Sequence, residues 1–253
     1  MTDPQTSPFR IGVAGVGAIG KNHARIMGEI ARSSGGAIVF SAIFDTDKAR
    51  AADLAAEHGA VVIEDLAEFA GQVDAATVAV PTIYHREVAG LLLEKGRHVM
   101  VEKPITESLA EAQALIELAQ ANNLILQVGH IERFNPVLRQ LEERMDQPRF
   151  IEAHRLSPFP NRSIDIGVVL DLMIHDIEIV LHLVKAPLID VDAVGIPVLT
   201  RREDIANARL KFANGCIANL TASRVSPEKL RKIRVFQPDS YLSLDYQEQS
   251  GWI

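Results

Sequence analysis

Cysteine is almost missing from this chain. One residue, Cys216, stands among 253, so no intrachain disulfide is possible and a thiolate metal site is excluded. It lies in KFANGCIANL, which reads as a strand, and nothing nearby in sequence supplies the base that a cysteine nucleophile needs. Clustered positive charge is missing too. The net charge is −7 and no run of lysine or arginine offsets it, which argues against a nucleic-acid-binding surface. No apolar stretch is long and uninterrupted enough to cross a bilayer, and residues 1–8, MTDPQTSP, lack a signal-peptide pattern, so a cytoplasmic protein is expected. The remainder is ordinary: 47% hydrophobic and 23% charged residues, in a length that suits two domains.

The first apolar run carries the strongest signal. Phe9 to Gly20, FRIGVAGVGAIG, reads as a strand, a glycine turn and the start of a helix that continues KNHARIMGEI. Gly15, Gly17 and Gly20 complete the G-x-G-x-x-G pattern of a dinucleotide site. Gly15 permits the tight turn, Gly17 lets a pyrophosphate approach the backbone, and Gly20 lets the helix pack close to the strand. Ala18 and Ile19 complete the turn, and the free N–H groups of the helix start face the phosphates. A second apolar run, AIVFSAIF, ends at Asp45, where a carboxylate accepts hydrogen bonds from the adenosine ribose hydroxyls. A 2′-phosphate at about 4 Å from it, at an effective dielectric near 20, is disfavoured by about 4 kcal/mol, so NAD is expected over NADP. Lys48 and Arg50 lie near enough in sequence to blunt that preference, and Asp45 also stands where a helix N-cap would.

Alternation continues downstream. A helix over 46–58 leads to VVI at 61–63, a short helix to Ala70, and a buried strand over Asp74–Val80. A helix over Tyr84–Lys95 precedes HVMVEKP, and one over Ser108–Ala121 precedes the strand LILQVG. Strands separated by helices of this length imply β-α-β units with right-handed crossovers, hence a doubly wound parallel sheet. Ligands in such sheets sit beyond the carboxyl ends of the strands, which directs attention to VPTIYH at 80–85, VEKP at 101–104 and VGHIERFNP at 128–136. Val80, Pro81, His85, Glu102 and Lys103 are the expected cofactor contacts there; Pro81 and Pro104 also end strands, and His85 also stands where a helix cap would.

Beyond residue 124 the pattern changes. An amphipathic helix over Pro136–Met145 is followed by RFIEAHRLSPF, the loop PNRSIDIG and the helix VVLDLMIHDIEIVLHLV. Five β-rich runs then succeed one another through short turns: LIDVDAVGIPVLT, DIANARLKF, CIANLTASRV, LRKIRVFQP and SYLSLDY. The expected architecture is α/β: a Rossmann domain over residues 1–124, then a smaller α+β domain with a mostly antiparallel sheet over residues 125–253, used for substrate binding and oligomerisation.

The order GVGAIG, Asp45, VEKP, GVVLDLMIHDIEIVLHL resembles the glucose-fructose oxidoreductase, inositol dehydrogenase and rhizopine-catabolism (Gfo/Idh/MocA) family of NAD(P)-dependent sugar oxidoreductases. The likeness runs through essentially the whole chain. Within the family, HIERFNP and RSIDIGVVLDLMIHD are most similar to the members that oxidise the 3-hydroxyl of UDP-N-acetylglucosamine. Family members are usually longer, and YLSLDYQEQSGWI stops without a visible closing segment, so a shortened second domain or a fragment is expected.

The resemblance implies oxidation of a sugar ring hydroxyl, with the 3-hydroxyl of a UDP-linked N-acetylhexosamine as the leading substrate; an inositol or free sugar, and a non-catalytic NAD sensor or relic, are the alternatives. Removing hydride from a secondary alcohol requires a base for the hydroxyl proton. His175 is the candidate base, and Asp171, four residues earlier in a helical pattern, orients the imidazole or grips the sugar. Polar groups in so apolar a helix are expected to be buried with partners. Lys103 ends a strand, where its ammonium donates to the substrate hydroxyl, and the family pattern places it beside the nicotinamide. Substrate contacts are expected from Lys103, Arg133, Asn135, Arg162, Asp171 and His175, with Arg155 a further diphosphate candidate. His175, Asp176, Glu178 and His182 are spaced wrongly for three ligands on one face, so no metal is expected. Exposed apolar sheet surface suggests a homo-oligomer, a dimer or tetramer.

Overall fold

A computed structural model describes residues 7–159 and 166–252. Two compact units divide the chain, one running to Gly129 and the other beginning at His130. The division falls five residues later than the 124/125 boundary expected from sequence, because the strand within LILQVG still pairs with the first sheet.

The first unit is a six-stranded, wholly parallel sheet. Its strands are β1 (Phe9–Ala14), β2 (Ile38–Phe44), β3 (Val61–Val62), β4 (Ala75–Val78), β5 (His98–Val101) and β6 (Leu126–Val128), in the order β3-β2-β1-β4-β5-β6. The order reverses between β1 and β4, which makes their carboxyl ends the switch point of a doubly wound sheet. On one face α1 (Gly20–Ser33) and α2 (Lys48–His58) bury Ala24, Ala51 and Ala55 against Ile11, Val13 and Phe40. On the other face α3 (Leu66–Gln72), α4 (His85–Glu94) and α5 (Leu109–Ala121) bury Phe69, Leu92, Leu93 and Leu115 against Val78, Val99 and Val101. Local chemistry sets the helix starts. Ser108 and Glu111 form a reciprocal capping box before α5, and Asp47 and Asp65 cap α2 and α3 by accepting from Arg50 N and Glu68 N.

The second unit packs helices on one face of a seven-stranded sheet. α6 (Pro136–Arg144), β7 (Phe150–Leu156), a π-helical turn (Val169–Met173) continuing into α7 (Ile174–Val184), and β8 (Leu188–Ile196) are followed by β9 (Ile205–Phe212), β10 (Ile217–Ser223), β11 (Leu230–Gln237), β12 (Ser240–Asp245) and β13 (Ser250–Trp252). The strand order is β13-β12-β11-β7-β10-β9-β8, antiparallel throughout except where β7 lies parallel to β10. Period-two alternation directs Ala206, Ala208, Leu210 and Phe212 of β9 inward, with Ala218, Leu220 and Ala222 of β10, to a core closed by Leu138 and Leu141 of α6 and Ile179, Val180 and Leu183 of α7. β8, at the sheet edge, has every residue exposed.

The expected helix over VVLDLMIHDIEIVLHLV exists, but it opens with the π turn. β4 ends at Val78, two residues before Val80. Ala79 N–H still donates to Ala14 O at 2.8 Å, after which the chain turns toward Pro81, which has no N–H to offer a ladder. Among the described residues no helix is long and apolar enough to cross a membrane.

Candidate functional site

The glycine turn follows β1 at the switch point. Gly15 takes φ +87°, and a Cβ on it would lie 2.7 Å from the backbone of Ala79 and Val80. A Cβ on Gly20 would lie 1.8 Å from Gly15 O, so only glycine lets α1 start this close to the strand. Gly17 differs from both, since nothing lies within 4 Å of where its Cβ would be. The turn is tight where the fold needs it and open at the position where a pyrophosphate must approach backbone, so these residues fit a dinucleotide. Ala18 and Ile19 are exposed at the mouth of α1.

Asp45 closes the turn from the end of β2. Its side chain is 7% exposed; Oδ2 accepts from Val16 N–H at 2.6 Å, and Oδ1 accepts from Asp47 N–H at 2.7 Å. It does not cap α2, because Asp47 does. Arg50 reaches Asp45 at 3.0 Å, whereas Lys48 is engaged by Glu64 at 2.5 Å, so of the two nearby cations it is Arg50 that tempers the Asp45 charge.

The loops after β4 and β5 carry the next residues. Val80 and Lys103 are half-buried and Pro81 is exposed. Glu102 accepts from His23 Nε2 at 2.9 Å and from Lys103 N–H at 3.2 Å. Burial pushes its carboxyl up, but the His23 hydrogen bond and charge, with Lys103, outweigh it and hold the group below its ordinary value. It thus fastens α1 to the end of β5. His85 corrects the sequence expectation of direct cofactor contact: at 1% exposed, its ring has Nδ1 2.8 Å from Pro104 O and Nε2 3.0 Å from Val80 O. Both nitrogens are committed to backbone.

In the second unit Asp171 lies within the π turn and His175 in the first turn of α7, both half-buried. A π turn accommodates an extra residue, so the regular four-residue register assumed between them is broken. The deeply buried polar residue of this helix is Asp176. Arg155, at 2% exposed on the inner face of β7, grips it with Nε to Oδ2 and Nη2 to Oδ1, each at 2.9 Å, and also reaches Glu132 at 2.9 Å. Burial works against the Arg155 charge, but Asp176 and Glu132 outweigh it and keep the guanidinium firmly protonated. Its guanidinium carbon lies 5.8 Å from the ring centre of Tyr246, a buried phenol pushed well above its ordinary value first by burial and then by the Asp176 charge.

Several expected substrate contacts have structural duties. Arg155 is spent on this cluster, which corrects its reading as a diphosphate ligand. Asn135 caps α6 by accepting from Val137 N–H at 3.1 Å, and Arg133 pairs with Glu178. Arg162 lies outside the described residues. The rival metal set is dispersed in the same way, with Asp176 on Arg155, Glu178 on Arg133 and His182 on Glu142. Among the described residues no three ligating side chains gather. Sequence reasoning missed two features. Arg155 was readable, since in FIEAHRL it shares the inward face with Ile151 and Ala153 and a charge there demands a buried partner. The His23–Glu102 contact left no signal, because 79 residues separate them.

Comparison with known proteins shows the family. A family model described as an oxidoreductase family with an NAD-binding Rossmann fold matches residues 9–130, and one for the GFO/IDH/MocA C-terminal domain matches residues 138–238. UDP-N-acetylglucosamine 3-dehydrogenase of Acidithiobacillus ferrooxidans is 40% identical over 94% of this chain and 74% of its own length. A crystal form of that enzyme superposes with a TM-score of 0.88 at 39% identity, covering 96% of this chain and 79% of that one. The scyllo-inositol 2-dehydrogenase (NAD(+)) of Bacillus subtilis is 28% identical over 86% of this chain and 68% of its own length. With both of its units matched in order and the glycine turn in place, this chain belongs to the GFO/IDH/MocA family of NAD-binding oxidoreductases.

Proposed function

We propose that the chain is an NAD-dependent dehydrogenase that oxidises the 3-hydroxyl of a UDP-linked N-acetylhexosamine. The observation that carries this reading is the 40% identity to a UDP-N-acetylglucosamine 3-dehydrogenase across 94% of the chain, which spans both units. Bound NAD supplies the hydride acceptor. The secondary alcohol becomes a ketone as its C–H bond yields hydride and its O–H bond yields a proton, and the chain's task is to take that proton and steady the oxygen. His175 takes the proton on its imidazole. Lys103 donates a hydrogen bond from its ammonium to the substrate hydroxyl and stabilises the negative charge that develops as the proton leaves. Asp171 orients the sugar or the imidazole, and the Arg155–Asp176 pair holds the helix turn from which His175 extends. Glycine turn and Asp45 bind the coenzyme: open space at Gly17 supports a pyrophosphate there, and Asp45, set beside Val16, supports ribose recognition.

The 28% identity to an inositol dehydrogenase sustains a second reading, a free polyol as substrate. A panel of UDP-sugars and free polyols, followed by NADH absorbance, separates the two. Turnover confined to polyols refutes the nucleotide-sugar reading.

We also read the protein as a cytoplasmic homo-oligomer. Support for the oligomer comes from β8, where Ile189, Val191, Val194 and Ile196 are each more than half exposed, an apolar content unusual for a sheet edge left to water. Sedimentation equilibrium tests this, and a monomer at micromolar concentration contradicts it.

A further inference from the structure

No role assigned above uses the most deeply buried imidazole of the coenzyme unit. His85 opens α4, and its nitrogens face carbonyls of two different loops: Nδ1 faces Pro104 O at 2.8 Å, and Nε2 faces Val80 O at 3.0 Å. Val80 belongs to the loop after β4; Pro104 follows Lys103 in the loop after β5. Both loops leave the carboxyl ends of strands, where a doubly wound sheet binds its ligands. A carbonyl oxygen only accepts. An imidazolium therefore donates to both loops at once, and a neutral ring to one of them at a time. Either way a rigid ring wedged between two backbone oxygens fixes the spacing of the loops more strictly than loop side chains in water would.

We propose that His85 is a positioning residue for this reaction, which ties the two ligand-facing loops together with a separate job for each ring nitrogen. The Nδ1 tether to Pro104 sets the backbone from which Lys103 reaches the substrate hydroxyl. The Nε2 tether to Val80 sets the loop over the coenzyme. This deepens the function proposed above and rests on Lys103 being the hydrogen-bond donor to the substrate oxygen.

Two conservative variants divide the tethers. Asparagine carries its amide nitrogen near the place of Nδ1, so His85→Asn retains the Pro104 tether and loses the Val80 one. Glutamine reaches the place of Nε2, so His85→Gln does the reverse. Calorimetric titration with NAD and steady-state kinetics on UDP-N-acetylglucosamine are expected to separate them. His85→Gln should bind NAD nearly as the parent does while kcat falls about 10- to 100-fold, the scale of a misplaced catalytic group. His85→Asn should bind NAD about fivefold more weakly, the value of one hydrogen bond, with kcat within about threefold of the parent. Parallel losses of binding and kcat in both variants, or no change in either, overturn the proposal. So does failure of both to melt cooperatively, which makes His85 a core prop and nothing more. If Lys103→Ala keeps full turnover, the reading of Lys103 as donor to the substrate oxygen fails instead, while weaker NAD binding by His85→Asn alone still upholds the Val80 tether.

Discussion

Replacing Asp45 by asparagine removes one negative charge with almost no change of shape. The substituted amide oxygen can still accept from Val16 N–H, which the carboxylate engages at 2.6 Å, so the glycine turn keeps its closure, while the amide nitrogen gives up the acceptor that Asp47 N–H now uses. What changes is the field where a second phosphate would sit. Carboxylate and 2′-phosphate at about 4 Å, with an effective dielectric near 20, repel by about 4 kcal/mol. Arg50, 3.0 Å from Asp45 and 44% exposed, offsets part of this, and salt screens more. A net value of about 2 kcal/mol remains, or roughly thirtyfold in selectivity. Calorimetric Kd values for NAD and NADP, measured on parent and variant in one buffer, give the ratio directly. Asp45→Asn is expected to lower the preference for NAD by roughly that factor, and Arg50→Ala to raise it, since the guanidinium is the group that would welcome a 2′-phosphate. An unchanged ratio in Asp45→Asn, or a shift of the same sign in both variants, refutes the assignment of Asp45 as the ribose-reading residue.

Gly17→Ala should melt like the parent, because its Cβ meets nothing within 4 Å, yet bind NAD at least about tenfold more weakly; Gly20→Ala should lower the melting temperature, because its Cβ would stand 1.8 Å from Gly15 O. Lys103→Ala and His175→Ala should each lower kcat about 10²- to 10⁴-fold with NAD affinity kept, and calorimetry beside kinetics checks both halves. Arg155→Met leaves Asp176, 3% exposed, without its cation and should lower stability by about 3–5 kcal/mol in urea unfolding. Asp204 ties stability to acid. Burial raises this carboxyl, but N–H donors of Thr200, Val198 and Leu199 and the Arg224 guanidinium outweigh it and hold it well below the carboxylate range. A depressed folded value means stability that is present above about pH 4 and lost as pH falls below it, so Asp204→Asn should flatten the acid limb of a stability-against-pH curve.

The first unit was readable because each of its signals is local. Apolar runs broken by helices of ten to fifteen residues imply crossovers, and the spacing of Gly15, Gly17 and Gly20 encodes a turn within six residues. The order β3-β2-β1-β4-β5-β6 adds only which strands are neighbours. Long-range polar pairing was less accessible. Asp45 closes onto Val16, His85 onto Pro104, and Asp176 onto Arg155, over separations of 29, 19 and 21 residues that carry no periodic signature. The charge on the inward face of FIEAHRL called for a buried partner, a signal that the reading of Arg155 as a diphosphate ligand passed over. The π turn escaped for a different reason. Its residues Val169–Met173 are as apolar as the α-helix they lead into, and composition does not record the number of residues per turn.

The most direct test of the proposed dehydrogenase activity is a single assay: purified protein, NAD and UDP-N-acetylglucosamine, with NADH absorbance and the keto-sugar followed together. Both should rise in equal amounts, and both should form about 10²- to 10⁴-fold more slowly in Lys103→Ala. Tight NAD binding with no NADH formed from any UDP-sugar would contradict it.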